Sequence, residues 1–342
     1  MRSPFLLIVG LVATLVVSTV VAIGLGPVSI PADAVARIVV SHLTGMAVDR
    51  GPLDFIVWQI RAPRVVQGLA VGAALAVAGA VAQVIVRNPV ADPSIIGLSA
   101  GASVGAVTVL TGTGTTVFGL LTLPFAAFVG ASAAGLVVFV LARGAGTLPP
   151  ARLIMTGIAV GQLLGGVTSF LLLNTRNADA QQQVLFWLLG SLAGATWPLA
   201  LTALGVALPL LAVLVVRAGR LDLLTLGDDA TAALGVSASR ARGGFYLAVG
   251  LLTGTAVAVS GSIGFVGLVV PNVVRLLIGA DHRRVLPISA LAGAIMLVWS
   301  DVAARLILAP AELPIGILTA AIGVPVFVYA LRRSATGAVG VR

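Results

Sequence analysis

Hydrophobic positions along the chain fall into long runs that short polar stretches separate. At about 20 residues per membrane crossing, the runs predict ten transmembrane helices. The predicted spans are residues 4–26, 62–85, 94–111, 117–141, 151–173, 196–216, 243–261, 263–279, 285–306 and 313–331. The eighth contains Gly264, Gly267 and Pro271, which favour a broken helix. The fold class predicted is an all-α polytopic membrane protein with one transmembrane domain, residues 1–342.

The first span and the arginines predict the orientation. The apolar run after Arg2 exceeds twenty residues, longer than the 7–15 of a signal peptide, so we expect an uncleaved span with a cytoplasmic N-terminus. Ten spans then place the C-terminus in the cytoplasm too. Six arginines fall on the predicted outer side, namely Arg37, Arg50, Arg61, Arg64, Arg176 and Arg305, and the other fourteen fall inside. This asymmetry follows the positive-inside rule and indicates a multi-pass membrane protein.

Composition agrees with a lipid environment and argues against an enzyme. The chain is 59% hydrophobic and 9% charged, whereas about a quarter of a soluble domain is charged. Its net charge of +9 comes from arginines that are scattered along the chain, which does not suggest nucleic-acid binding. The sequence contains no lysine, so it cannot form the Gly-Lys-Ser/Thr phosphate loop of an ATPase. With no cysteine, and with His42 and His282 far apart, we expect neither catalysis nor a metal site in this chain.

Small residues recur every fourth position in three places. Gly97, Gly101 and Gly105 form one ladder, and residues 157, 161 and 165 and residues 68, 72 and 76 form two more. Such spacing lets helix backbones approach closely in lipid. We therefore predict helix packing, with sliding faces along a translocation path as the alternative.

The polar stretch TLGDDATAALGVSASRAR, residues 225–242, interrupts two apolar runs. Asp228 and Asp229 suit the positive end of a short helix, and Gly235 suits a left-handed helix end. Two short helical pieces with a bend are predicted within residues 223–241. Leucines in these polar surroundings favour a groove of another protein; they are Leu223, Leu224, Leu226 and Leu234.

Within this stretch, LGDDATAALGV resembles the LGEExAxxLGV coupling segment of permeases in the FecCD family of ABC importers, which carry iron-siderophores, cobalamin and haem. The resemblance continues over most of the chain. RAPRVVQGLAVGAALAVAGAVAQVIVRNPVADPSIIGLSAGASVGAV, SGSIGFVGLVVPNVVRLLIGADHRRVLPISALAGA and DVAARLILAPAELPIGILTAAIGVPVFVYALRR are similar to long blocks of that family. The resemblance implies a type II ABC importer permease fold and a location in a bacterial inner membrane.

The family resemblance also implies partners. A second permease chain, two cytoplasmic ATPases that hold ATP and magnesium, and an extracytoplasmic substrate-binding protein would assemble with this chain in membrane lipid. The residues that correspond to the family's coupling segment would dock to the ATPase; they are Leu226, Gly227, Asp228, Asp229, Leu234 and Gly235. Thr231 stands where the family more often has alanine, and we expect it at the helix surface.

Three outer arginines match family positions that receive acidic residues of the binding protein. They are Arg61, Arg64 and Arg305, and exposed pairs of this kind would orient docking more than hold it. Two alternatives remain: Arg61 and Arg64 at the membrane interface, and Arg305 paired with Asp301 one turn earlier.

Two further sites follow from the matched blocks. Asn88 and Pro89, in RNPVADPSIIG, are predicted to support the coupling region, with a gate role as the alternative. Pro271-Asn272 replaces the family's usual Pro-His, so this position cannot titrate near neutral pH.

The leading interpretation is the membrane subunit of an ATP-driven importer of a metal chelate, with Fe(III)-siderophore first and cobalamin or haem as alternatives. An ion-coupled secondary carrier is the competing class, and Asp301, an intramembrane carboxylate, would be its centre. The sequence has few other ionisable groups within the spans, and it contains the polar stretch 225–242 on the predicted cytoplasmic side. Both features favour the importer.

Overall fold

The computed structural model describes residues 4–45, 51–112, 119, 122–144 and 146–339. Arg2, Arg50 and Arg342, and most of residues 117–121 of the fourth predicted span, lie outside the described residues. The helices are α1 (Pro4–Gly24), α2 (Ala32–Thr44), α3 (Pro52–Asp54), α4 (Ala62–Ile85), α5 (Leu98–Leu110), α6 (Thr122–Ala142), α7 (Pro150–Leu173), α8 (Ala178–Leu189), α9 (Trp197–Val216), α10 (Ala218–Thr225), α11 (Asp228–Ala233), α12 (Ala238–Ser260), α13 (Val266–Ile278), α14 (His282–Leu306) and α15 (Ile315–Val339).

Among the described residues, seven helices are long and apolar enough to cross a membrane, and α5, α13 and α15 add three shorter apolar segments. These ten segments correspond to the ten predicted runs, and the all-α polytopic fold class is confirmed. Several bounds differ from the prediction; α15, for example, ends at Val339 rather than at residue 331. A 3₁₀ turn, Pro93–Ile96, and a left-handed Gly97 precede α5, α12 begins five residues earlier than predicted, and α13 is only 13 residues long.

Helix α4 lies at the centre of the bundle. It continues without interruption from α3 through a π-helical stretch, Phe55–Arg61, and packs against α9, α12, α13 and α14. Its small residues permit this crowding. A methyl group on Gly72 would lie 2.3 Å from the Gly293 carbonyl oxygen, and one on Gly79 would lie 1.9 Å from that of Gly267. The ladder of small residues on α4 is therefore a packing surface for α14.

The ladder on α5 also packs against a neighbouring helix. A methyl group on Gly101 would lie 2.3 Å from the Gly130 oxygen, and one on Gly105 would lie 2.1 Å from the Ala126 oxygen, both on α6. Gly97 instead faces α7, at 3.2 Å from the Gly157 oxygen. On α7, by contrast, Gly165 has open space around its Cα, so this third ladder packs at one end only.

The periphery of the bundle is apolar, as expected for a surface that lipid covers. Large exposed hydrophobic side chains lie on α1, α6, α7 and α9, for example Val16, Leu136, Leu163 and Val216. Two short helices, α2 and α8, lie in the segments predicted to be outside the membrane. Only Val35 is buried in α2, which suits a helix that rests on a surface.

Candidate coupling site and a charged cluster at the opposite end

The polar stretch between α9 and α12 forms two short helices with a bend between them. Helix α10 begins directly after α9, and α11 begins at Asp228, so both aspartates occupy its first turn. Gly227 has φ +110° and Gly235 has φ +80°. Glycine tolerates these values without strain, so it ends the first helix and, as predicted, the second. The two short helices lie earlier in the chain than the predicted 223–241, because α10 begins at Ala218 and residues from Ala238 onward belong to α12.

Asp228 joins three parts of the chain. Its carboxylate accepts hydrogen bonds from Arg87, which follows α4, and from Nη2 of Arg242 on α12 at 2.6 Å. Arg242 is buried and also donates to the Leu148 carbonyl at 2.7 Å. Arg87 adopts φ +53°, a conformation that costs a non-glycine residue free energy. The hydrogen bond from Arg242, and then the nearby positive charges, hold the pKa of Asp228 below its ordinary value.

Two expectations about this segment are wrong. Thr231 does not lie on the helix surface: it is fully buried, and its hydroxyl donates to the Leu223 oxygen at 2.7 Å because α11 folds back on α10. Leu224 is likewise buried in the protein's own core, and Leu223 is partly buried. Leu226 and Leu234 remain, at 62% and 59% exposure. The large apolar side chains that the segment exposes are thus these two leucines.

The RNP block lies against α13 beside this segment. Asn272 donates from its amide to the Pro89 carbonyl and to the Leu268 carbonyl, each at 2.8 Å. The side-chain oxygen of Asn88 accepts from the Val90 amide and closes the turn. Asn272 follows Pro271, which lies inside α13. The four predicted support residues therefore meet at one junction, where a non-titrating amide makes the connection.

The three outer arginines are buried at the opposite end of α4. Nη1 of Arg61 donates to the carbonyls of Ile23 and Gly24 at 2.9 Å. Arg305 donates to the carbonyls of Ala22 and Leu25. Arg64 donates to both oxygens of Glu312 at 2.9 Å each. None of the three guanidinium groups is presented to solvent as the docking prediction assumed. Arg61 and Arg305 hold the end of α1, and Arg64 holds the loop that precedes α15.

Asp301 lies at the centre of this cluster. It is buried, and its carboxylate pairs with Arg64 at 2.9 Å and with Arg305, one turn later on α14, at 3.0 Å. A buried carboxylate is stable only with such partners. The charges of Arg64 and Arg305 are balanced by Asp301 and Glu312, whereas Arg61 is held by backbone carbonyls. The structural alternative for Asp301 is therefore the one that the contacts support.

The sequence reasoning missed three partners. Arg87 and Arg242 were counted only as arginines of the cytoplasmic side, and Glu312, the single glutamate of the chain, was not considered. Arg87 and Arg242 lie 141 and 14 positions from Asp228, and Glu312 lies 248 positions from Arg64. A signal existed only for Glu312, as an isolated acid beside a predicted span.

A bundle of about ten apolar helices, with a clamped polar segment at one end and a buried charge cluster at the other, is the architecture of a membrane permease. The chain belongs to the FecCD transport family, whose profile matches residues 14–333. It is therefore an integral protein of the inner membrane, and a permease of the type II ABC importers for metal-chelate substrates.

Two curated relatives and one solved structure illustrate the similarity. The chain is 44% identical over 277 residues to the cobalamin import system permease protein BtuC of Halobacterium salinarum, covering 81% of this chain and 73% of that protein. It is 37% identical to the Fe(3+)-citrate import system permease protein YfmE of Bacillus subtilis, covering 97% and 96%. A metal-chelate type ABC transporter in an inward-facing conformation superposes with a TM-score of 0.84 at 31% identity, covering 97% and 100%.

Proposed function

We propose that residues 226–235 form the coupling element through which a separate cytoplasmic ATPase drives this permease. ATP and magnesium belong to that ATPase. Two permease chains form the path, two ATPases bind on the cytoplasmic side, and a substrate-binding protein delivers the chelate from outside. ATP-dependent movement of the ATPases shifts the coupling segments and switches the bundle between outward and inward openings.

One observation carries this proposal: two exposed leucines stand on a segment that is otherwise rigidly held. Leu226 and Leu234 flank α11, while Thr231 and Asp228 fix the same helix to α10, α12 and the end of α4. A flexible loop would absorb the motion of a partner, whereas a clamped helix passes it to the spanning helices. Apolar anchors on a short helix suit a groove on a partner.

The test is co-purification of the ATPase with detergent-solubilised permease. We expect the wild type to retain a P-loop ATPase, and Leu226→Glu/Leu234→Glu to lose it, because two carboxylates cannot enter an apolar groove without a large desolvation cost. Leu43→Glu, at an exposed leucine of α2, is the control and keeps the ATPase. Equal recovery with the double variant would overturn the coupling role.

Docking of the binding protein by Arg61, Arg64 and Arg305 remains part of the proposal, with one condition from the geometry. Arg64 is paired bidentately with Glu312, whose side chain is 38% exposed. A carboxylate of the binding protein therefore has to replace Glu312 at Arg64, or meet neighbouring exposed groups instead. The test exchanges the charges of one arginine of this chain and one carboxylate of the binding protein, and measures the affinity of the two proteins in proteoliposomes. Affinity that is lost in each single variant and restored in the swapped pair would show that the arginine takes part in docking.

The cargo we propose is a Fe(III) chelate of the siderophore type. Cobalamin is the second candidate, since the permease from Halobacterium salinarum at 44% identity is named for it, and haem is the third. Uptake of ⁵⁵Fe-labelled chelates, labelled cobalamin and haem into cells that depend on this system tests this order of the three candidate cargoes. Uptake of cobalamin alone would reverse it.

A further inference from the structure

Three arginines converge on an open cleft beside the coupling segment. The cleft has a volume of about 370 Å³ and lies between the end of α9 and the start of α12. Its charged residues are Arg217, Arg220 and Arg240, and its lining includes no carboxylate. All three side chains are exposed. Within the part of the chain that the structure describes, none of the three guanidinium groups has an ion-pair or hydrogen-bond partner.

The remaining walls of the cleft are largely apolar. Val213 and Leu214 contribute from α9, and Phe245 and Ala248 contribute from α12. A cleft lined by three arginines without ion-pair partners among the described residues, and by apolar side chains, fits an amphipathic anion better than a small soluble one. Its volume is within the roughly 300–1,000 Å³ of ligand sites.

The apolar wall continues towards the middle of the membrane. On α12, Arg240 and Gly244 line the cleft, and Leu247 and Leu251 follow on the same helix face at 60% and 44% exposure. At 1.5 Å per residue, these leucines lie about 10 and 16 Å beyond Arg240. An acyl chain that started at the arginines would run along this stripe.

We infer that this cleft binds an anionic phospholipid, with the phosphate held by Arg217, Arg220 and Arg240 and one acyl chain along Leu247 and Leu251. Basic pockets between transmembrane helices suit such headgroups, and arginine suits phosphate through its paired donors. Gly235 and Val236 of the coupling segment also line the cleft. The bound lipid therefore contacts the end of the segment that carries Leu226 and Leu234.

The test measures lipid binding to delipidated, solubilised full-length permease by native mass spectrometry. The probes are phosphatidylglycerol, phosphatidylcholine with the same chains, and glycerol phosphate, which has the phosphate without the chains. The variant is Arg217→Gln/Arg220→Gln/Arg240→Gln. The matched control is Arg143→Gln/Arg152→Gln/Arg284→Gln, which removes the same charge from three exposed arginines outside the cleft.

We expect the wild type and the control to bind phosphatidylglycerol alike. Each arginine near an anionic headgroup contributes about 1 kcal/mol, and tenfold in affinity corresponds to about 1.4 kcal/mol, so the triple variant loses roughly 100-fold. Phosphatidylcholine binds equally to all three proteins.

A second variant keeps the test valid if the triple variant misfolds. Gly244→Leu places a side chain in the cleft without removing charge, and no atom lies within 4 Å of a Cβ at this position. We expect it to reduce phosphatidylglycerol binding at least tenfold while the melting temperature (Tm) stays close to that of the wild type.

Three results would overturn the lipid site. Phosphatidylglycerol could bind the triple variant as it binds the wild type. Glycerol phosphate could bind as tightly as the lipid, which would indicate a site for a soluble phosphate. The triple variant could keep the lipid but lose a co-purifying ATPase, which would assign the arginines to that interface.

Discussion

Asp228 is the residue on which the geometry of the coupling segment depends. It faces Arg87 and the buried Arg242 at once, while its neighbour Asp229 is exposed and makes no ion pair within the described residues. Two adjacent carboxylates in the first turn of α11 thus have different roles. Only the tertiary contacts distinguish them.

We expect Asp228→Asn to weaken the attachment of α11 by about 1 kcal/mol. Hydrogen bonds to charged groups contribute about 1.5–3 kcal/mol, and the 46% exposure of the Asp228 side chain reduces this through solvent screening. Lower Tm of the solubilised protein and weaker ATPase co-purification would show it. Asp229→Asn is the matched control, and an equal effect of the two variants would contradict the assignment.

The same pair of variants has a defined pH dependence. Because the pKa of Asp228 is lowered in the folded protein, its ion pairs stabilise fully above its ordinary pKa of 3.8 and are lost as the pH falls through the lower folded value. We expect the Tm difference between the wild type and Asp228→Asn to be constant from pH 5 to 8. A difference that disappears near pH 6 would point to another titrating group.

At the opposite end, Asp301 and Glu312 share Arg64 but differ in burial. Removing one partner of a buried pair leaves an uncompensated charge and costs about 3–5 kcal/mol. We expect Asp301→Asn to lower Tm strongly and Glu312→Gln to lower it only slightly, in thermal unfolding of the solubilised protein. Normal stability of Asp301→Asn, with loss of proton-dependent uptake, would favour the secondary-carrier alternative.

At the scale of helices, small residues decide how closely neighbours approach. We expect Gly101→Ala to destabilise the α5–α6 contact by about 1–3 kcal/mol, because the added methyl group would meet the Gly130 backbone and overpack it. Gly165→Ala is the control at the same four-residue spacing, with no atom nearby. It should keep or slightly raise Tm, since alanine favours helix by about 1 kcal/mol.

Unchanged Tm for Gly101→Ala would contradict close packing of α5 on α6. Reduced transport with unchanged stability would instead favour the sliding-face alternative for this ladder.

The sequence located the helices well but not the details of their ends. Apolar run length predicts where a helix must cross lipid, since the backbone has no other way to satisfy its hydrogen bonds there. It does not predict that Gly97 separates a 3₁₀ turn from α5, or that Thr231 of α11 is buried against α10. Both depend on which neighbouring segment lies opposite.

At the scale of the whole molecule, α4 separates two polar ends. Arg64 lies at its start and Arg87 just beyond its end, and 24 residues of helix extend about 36 Å. One end carries the charge cluster, and the other carries the coupling segment and the arginine cleft. In the orientation that the arginine distribution predicts, the second end faces the cytoplasm.

The absence of cysteine makes this orientation directly measurable. We expect the single cysteine of Asp229→Cys to react with a membrane-impermeant maleimide only in inverted vesicles, where the cytoplasmic side faces the reagent. A cysteine at Arg37→Cys, on exposed α2, should react in intact cells or right-side-out vesicles. Labelling of both positions from the same side would contradict the topology.

By itself, the sequence determined the membrane environment, the ten apolar segments and the position of the polar stretch for which we propose a coupling role. These properties follow from local composition and spacing. A spanning helix must match the thickness of the bilayer, and its backbone must satisfy its own hydrogen bonds because the bilayer core holds no water. Only the tertiary structure decided that Arg61, Arg64 and Arg305 are buried with partners, that Leu226 and Leu234 alone of the four leucines are well exposed, and that Arg217, Arg220 and Arg240 share a cleft. Burial and charge pairing depend on residues distant in the chain, and local pattern does not contain that information.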